Sequence, residues 1–102
     1  MTTRLQKGAV ADPSRQAVEE AMRSEGLSPA GWSNQPGDTY GWHTHPYDKV
    51  VCCARGSIVF HTDGGGDLAL EAGDRMELPA GTPHAATVGP DGVECLEAHL
   101  GR

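Results

Sequence analysis

From residue 27 onward, every apolar run in this chain is short and ends at glycine, proline or a charged residue. "TYGWHTH", "KVVCCA", "SIVFHT", "DLALE", "DRMELP", "HAATV" and "VECLEAHL" are the runs. "HPYD", "ARG", "DGGG", "EAG", "AGTP" and "GPDG" separate them. Runs of this length are strands, because a core helix needs an apolar stripe sustained over ten or more residues. Gaps this short leave no room for the helical crossovers that a parallel sheet requires. The reading is an all-β sandwich or barrel, with "DGGG" and "GPDG" supplying the turn residues that hairpins use.

The first quarter of the chain differs. In "DPSRQAVEEAMRSEGLSP", Val18 and Met22 stand four apart, with Ala17 and Ala21 beside them and charges on the other side. This is one apolar stripe of an amphipathic helix. Asp12 is placed to cap it, Pro13 suits its first position, and Gly26 suits its C-terminal exit. The expectation is a helix over about 13–25, preceded by a flexible segment at 1–11. A length of 102 residues makes 12–102 a single domain, with the barrel over about 28–100.

Charge and cysteine usage narrow the function classes. A net charge of −6 and a pI near 5.2, without a basic stripe, argue against nucleic-acid binding. No apolar run approaches the roughly 18 residues needed to span a bilayer, so no membrane role is expected. "MTTRLQKGAVADPS" has no apolar segment of the kind a secretory signal carries. Three cysteines, two of them adjacent at Cys52 and Cys53, do not make a disulfide framework. A reduced, cytoplasmic protein is expected.

His43 and His45 sit at i and i+2. In an extended strand they share a face. Pro46 favours that geometry, because the residue before a proline is driven to the β region. Two imidazoles so placed can take adjacent positions on one metal ion, or can simply line a polar strand face. The histidines do not stand alone. Gly37, His43, His45 and Gly56 follow the spacing G-x5-H-x-H-x3-E-x6-G, with Lys49 where that pattern has glutamate. Gly73, Pro79, Gly81 and His84 follow G-x5-P-x-G-x2-H-x3-N, with Val88 in place of the asparagine. These are the two motifs of the cupin superfamily, and over about 30–100 the chain resembles a small single-domain cupin.

The resemblance implies a double-stranded β-helix, a jelly-roll-like barrel, here with one N-terminal α-helix. It implies that His43, His45 and His84 hold a divalent transition metal inside the barrel, with Fe, Mn, Ni, Cu or Zn each compatible with three nitrogen ligands. It also implies that Lys49 points inward. An ammonium about 4 Å from a dication at an effective dielectric of 20 would be repelled by roughly 8 kcal/mol. Relief can come from loss of the lysine proton, from a carboxylate such as Glu97 or Glu77, from an anionic ligand, or from absence of the metal. Asp48 is a further candidate ligand, since a one-residue slip at "HPYD" would turn it inward.

Two functions follow from different classes. One is a metalloprotein that binds or acts on a small anionic molecule, with oxygenase or isomerase chemistry and Lys49 as anion anchor or acid/base. The other is a metal-free binding or sensing module. A homodimer is expected by the same resemblance. Cys52, Cys53, Cys95 and Met76 read as core, and Arg55 and Arg75 as surface charges. His61 reads as a solvated strand end. His99 is a candidate partner for a ligand histidine. Trp42, alternating with His43, is expected to face away from the site, under the helix or in an interface.

Overall fold

The computed structural model of the protein describes residues 3–100. It is an antiparallel β-barrel with one helix on its outside. The elements run β1 (Arg4–Gln6), α1 (Arg15–Ser24), β2 (Ala30–Asn34), β3 (Thr39–His43), β4 (Lys49–Thr62), β5 (Gly66–Glu71), β6 (Arg75–Leu78) and β7 (His84–His99). The order is β1-β6-β4-β7-β2, with β3 also on β7 and β5 also on β4. The all-β expectation and the double-stranded β-helix both hold.

β4 and β7 organise the molecule. They pair with each other twice, His84–Val88 against Ile58–Thr62 and Val93–His99 against Lys49–Gly56. A register shift between Gly56 and Ile58 separates these two arms, and a second, between Cys53 and Arg55, lies just before it. The segments "ARG" and "GPDG", expected to be breaks, are therefore facing corners within continuous strands. Bulged residues bend a strand and raise its twist, which lets one strand serve both sheets of a barrel. Gly56 is required at this corner: its φ is +77°, and a Cβ there would lie 2.0 Å from the Gly92 carbonyl oxygen.

Alternation along the strands sorts side chains into two layers. Val51, Cys53, Met76, Leu78, Val93 and Cys95 fill the barrel interior with Ile58, Phe60, Leu70 and Val88. Val50, Cys52, Ala54, Leu96 and Ala98 face the other way and meet Val18 and Met22 of α1. The predicted helical stripe is thus the one that docks, and each such buried side chain contributes roughly 1.5–3 kcal/mol. Cys52 lies under the helix, while Cys53 and Cys95 lie inside the barrel.

The helix begins later than its sequence suggests. Ser14, not Asp12, is the N-cap, and its Oγ accepts the Ala17 N–H at 3.1 Å. Asp12 instead takes a positive φ of +47° in the turn before it, which aspartate tolerates better than most residues. The exit is as expected. Gly26 N–H bonds the Arg23 carbonyl and Leu27 N–H bonds the Met22 carbonyl, a Schellman arrangement around a left-handed glycine.

The segment expected to fray is partly ordered. Arg4, Leu5 and Gln6 pair with Glu77, Met76 and Arg75. Asp74, buried just before β6, anchors the stretch after β1: its carboxylate accepts Gly8 N–H at 2.9 Å, Glu71 N–H at 2.8 Å, and a close hydrogen bond from Lys7 Nζ. Arg75 is not a surface charge. Its side chain is mostly buried and pairs with Glu25 at the end of α1 and with Glu77.

Candidate metal centre

Three separate segments bring His43, His45 and His84 together. His43 ends β3 and is directly opposite His84, the first residue of β7. His84 in turn faces Thr62 on β4. β3 stops at His43, so His45 is not in a strand, yet its ring still meets the group, edge-on to His43 and stacked on Tyr47. Ring centroids lie 4.8 Å apart for His43 and His45, 4.2 Å for His43 and His84, and 5.2 Å for His45 and His84. One nitrogen from each falls within 4.8 Å of the other two. Trp42 faces outward and is 62% exposed, so it packs neither under α1 nor against the site.

Hydrogen bonding at the far side of each ring decides which nitrogen is left free. His84 Nδ1 donates to the Thr82 carbonyl at 2.9 Å, and His43 Nδ1 donates to the Gly41 carbonyl at 2.6 Å. Tyr47 Oη lies 3.2 Å from His45 Nδ1. A carbonyl accepts only from a protonated nitrogen, so Nε2 carries the lone pair in His43 and His84. Among the described residues His84 Nε2 is buried and has no hydrogen-bond partner. An orphaned polar atom of this kind calls for a partner such as an ion or a water. Nδ1 bonded to backbone or a hydroxyl with Nε2 free is the arrangement that metal-binding histidines use. The donor set therefore fits a divalent transition metal.

Burial pushes the His84 imidazole below its usual pKa, partly offset by the Thr82 bond and reinforced by Lys49 and the other two histidines. Burial also lowers His45, with Lys49 and His43 adding to it. Neutral imidazole is the form that binds metal.

These histidines form one wall of a cavity of about 210 Å³. Trp32, Tyr40, Phe60 and Ala86 make it largely apolar, and among the described residues Lys49 and Glu97 give it one ammonium and one carboxylate. Lys49 is 5% exposed, and its Nζ lies 3.6 Å from Glu97 Oε1. The Trp32 indole N–H donates to that same oxygen at 2.9 Å. Of the carboxylates considered for Lys49, Glu97 is the one that meets it, while Glu77 is engaged by Arg75.

Asp48 stands apart from the histidine group. Its Oδ1 accepts the Ala80 N–H at 2.7 Å, tying the "HPYD" turn to the loop before His84. His61 bonds Asp67 and Thr87 instead of joining the group. His99 reaches the site indirectly, stacking on Tyr47 at 3.7 Å. Two residues that shape the site carry no motif. Tyr47 is signalled only by its i+2 spacing from His45. Trp32 lies on β2, whose "AGWSN" shows no clear alternation.

The profile of the Cupin domain family matches residues 32–98, about two thirds of the chain. The chain is a cupin. No curated protein sequence matches it. Among solved structures, this cupin is similar to a DMSP lyase (33% identity, TM-score 0.63), with 74% of this chain covering 37% of that one. It is also similar to the DMSP lyase DddQ of Ruegeria pomeroyi DSS-3 (25% identity, TM-score 0.67, 74% and 38% covered). Oxalate decarboxylase of Bacillus subtilis shares the fold at 23% identity, with a TM-score of 0.64 and 72% and 20% covered. The cupin spans well under half the length of these three proteins. Among the described residues no helix is long and apolar enough to cross a membrane.

Proposed function

We propose that this cupin holds a divalent transition metal through His43, His45 and His84 and acts on a small anionic molecule in the adjoining cavity. The observation that carries the reading is the buried, unpartnered Nε2 of His84, set against two further histidines whose Nδ1 atoms are already engaged. A metal bound there would supply a Lewis acid that polarises an oxygen of the ligand. Lys49 receives the anionic group of the ligand, and Glu97, steadied by Trp32, keeps that ammonium in place and offers a carboxylate for proton transfer. The apolar walls take the body of the molecule and exclude water. The similarity to two DMSP lyases, which are enzymes by name, favours a conversion of the ligand over passive storage.

Two finer points belong to the same reading. Free buried thiols suit a reducing, cytoplasmic setting. Trp42, exposed on the edge-proximal β3, suits a homodimer contact, which sedimentation equilibrium would settle.

Elemental mass spectrometry of protein purified without added metal tests the central claim. Near one equivalent of a transition metal, lost in the His43→Ala/His84→Ala double variant, is expected. Protein that is metal-free and takes up no iron, nickel or zinc would overturn the proposal and leave a metal-free binding module.

A further inference from the structure

Inside the barrel, away from the histidines, two thiols face each other across the main strand pair. Cys53 on β4 is directly opposite Cys95 on β7, and neither is exposed. Opposed residues in an antiparallel pair are of two kinds, and side chains come closest in the kind that exchanges no backbone hydrogen bonds. Cys53 is of that kind. Its N–H bonds the Asp74 carbonyl at 3.0 Å and its carbonyl accepts the Gly73 N–H at 2.8 Å, so both point to the β6 side and away from β7. The Cα separation of such a pair, roughly 4.5 Å, falls inside the range of roughly 4.4–6.8 Å over which a disulfide closes.

The two sulfurs already interact. Their mutual hydrogen bond holds the Cys53 thiol below its usual pKa and pushes Cys95 up. Cys53 Sγ also sits 3.5 Å from the Arg55 carbonyl and 3.6 Å from that of Gly56, at the corner where the β4–β7 register shifts. Cys52, its neighbour in sequence, faces the opposite layer under α1, and burial pushes its thiol up to about 11. The chain therefore contains a matched pair and an internal control.

We propose that Cys53 and Cys95 are a two-electron redox site that takes a peroxide as oxidant and closes to a cross-strand disulfide. The Cys53 thiolate attacks one oxygen of hydrogen peroxide and breaks the O–O bond, giving a sulfenic acid and hydroxide. Cys95 then attacks the Cys53 sulfur. The S–S bond forms, the S–O bond breaks, and the thiol proton leaves with the hydroxyl as water. In sum, two thiols and one peroxide give one disulfide and two waters, with the sulfurs oxidised and the peroxide oxygens reduced. Both thiols are fully buried, so the oxidant reaches them only through a local opening of the β4–β7 pair, which admits a molecule as small as peroxide before one as bulky as oxidised glutathione. The new bond would join the strand that carries Lys49 to the strand that carries Glu97. It would also lie beside Trp32, the residue paired with Cys95 on β2, so oxidation would stiffen the floor of the anion cavity.

The test is to expose reduced, folded protein to hydrogen peroxide, quench it, unfold it, alkylate it and weigh it. The expected product is a monomer lighter by two hydrogens, with one alkylated thiol at Cys52, restored to three by dithiothreitol. Fragmentation of the bridged peptides should place the bond at Cys53 and Cys95. In Cys95→Ser, dimedone should trap a sulfenic acid at Cys53; if that variant does not fold, the wild-type mass and peptide map decide alone. Three alkylatable thiols after peroxide, oxidation confined to Cys52 or methionine, or a disulfide only between chains would each overturn the proposal.

Discussion

Lys49 Nζ lies 3.6 Å from Glu97 Oε1, within a cavity also lined by His43, His45 and His84. The cupin pattern places a glutamate at position 49, and this chain places its inward carboxylate on β7 instead. Glu97 does not join the histidine group, so it offsets the charge of Lys49 and would leave three nitrogens to a metal. With Lys49 and Glu97 cancelling, a bound dication would leave the cavity positive. On the proposed reading that residual charge would select for an anionic ligand.

Replacing Lys49 with methionine keeps the length of the side chain and removes its charge. Loss of a charge-assisted hydrogen bond costs about 1.5 kcal/mol, or about tenfold in affinity. Calorimetric titration of Lys49→Met with a small carboxylate and with its neutral amide should show that loss for the carboxylate alone. Equal weakening of both ligands would remove Lys49 as the anion anchor.

Acid should destabilise the metal-free protein in a defined window. His45 and His84 have folded-state pKa values below that of an unperturbed imidazole. As pH falls below about 6.5, the unfolded chain takes up protons that the folded chain refuses, so stability declines until the folded-state values are also passed. Urea midpoints should therefore drop between about pH 7.5 and about pH 5. The drop should shrink in His45→Gln/His84→Gln, and a drop of the same size there would assign the effect to other groups.

Asp74 anchors the N-terminal segment by accepting from Lys7, Gly8 and Glu71. Despite its burial, these donors hold its carboxyl below the usual range. Its stabilising effect is present above the unfolded-state pKa and is lost as pH falls through the lower folded value. Asp74→Asn leaves one donor without an acceptor and should cost about 2 kcal/mol, read as a lower urea midpoint. Hydrogen exchange should speed up first in β1. Unchanged protection at residues 4–8 would mean that the strand pairing with β6 suffices.

The corner at Gly56 gives a sharper stability test. Gly56→Ala combines a positive φ with a Cβ 2.0 Å from a backbone oxygen. Gly64→Ala has a similar φ of +82° but meets nothing within 4 Å. The second change should cost about 1–2 kcal/mol for its backbone conformation alone. The first should cost more than the second, by about 2 kcal/mol or further. Equal losses would show that β4 and β7 separate easily at this bend.

Local patterns in the sequence carried most of the fold class and the histidine group. Val18 and Met22 recur at helical spacing, and the spacings through His43, His45 and His84 fall in two compact motifs. The features that were not legible depend on partners far away in sequence. Arg4, Leu5 and Gln6 alternate over only three residues, too few to read as a strand, and their strand exists because β6 offers an edge. "ARG" and "GPDG" read locally as turns, and only their mutual opposition makes them corners. Ser14 outcompeted Asp12 as the cap because the turn before the helix bends Asp12 into a left-handed conformation. The motif position singles out Lys49, but nothing nearby in sequence singles out Glu97 over Glu77. Strand register alone brought Glu97 to it.

β7 carries His84 at one end and Glu97 toward the other, and both reach one cavity because the strand turns a corner between them. A one-residue slip along β4 would turn the inward residues of β7 outward together. Such a misfolded conformer would keep its strand content and pass unnoticed in a backbone spectrum. It would lose the histidine site and the anion anchor in the same step, so ligand binding serves as the assay of correct folding.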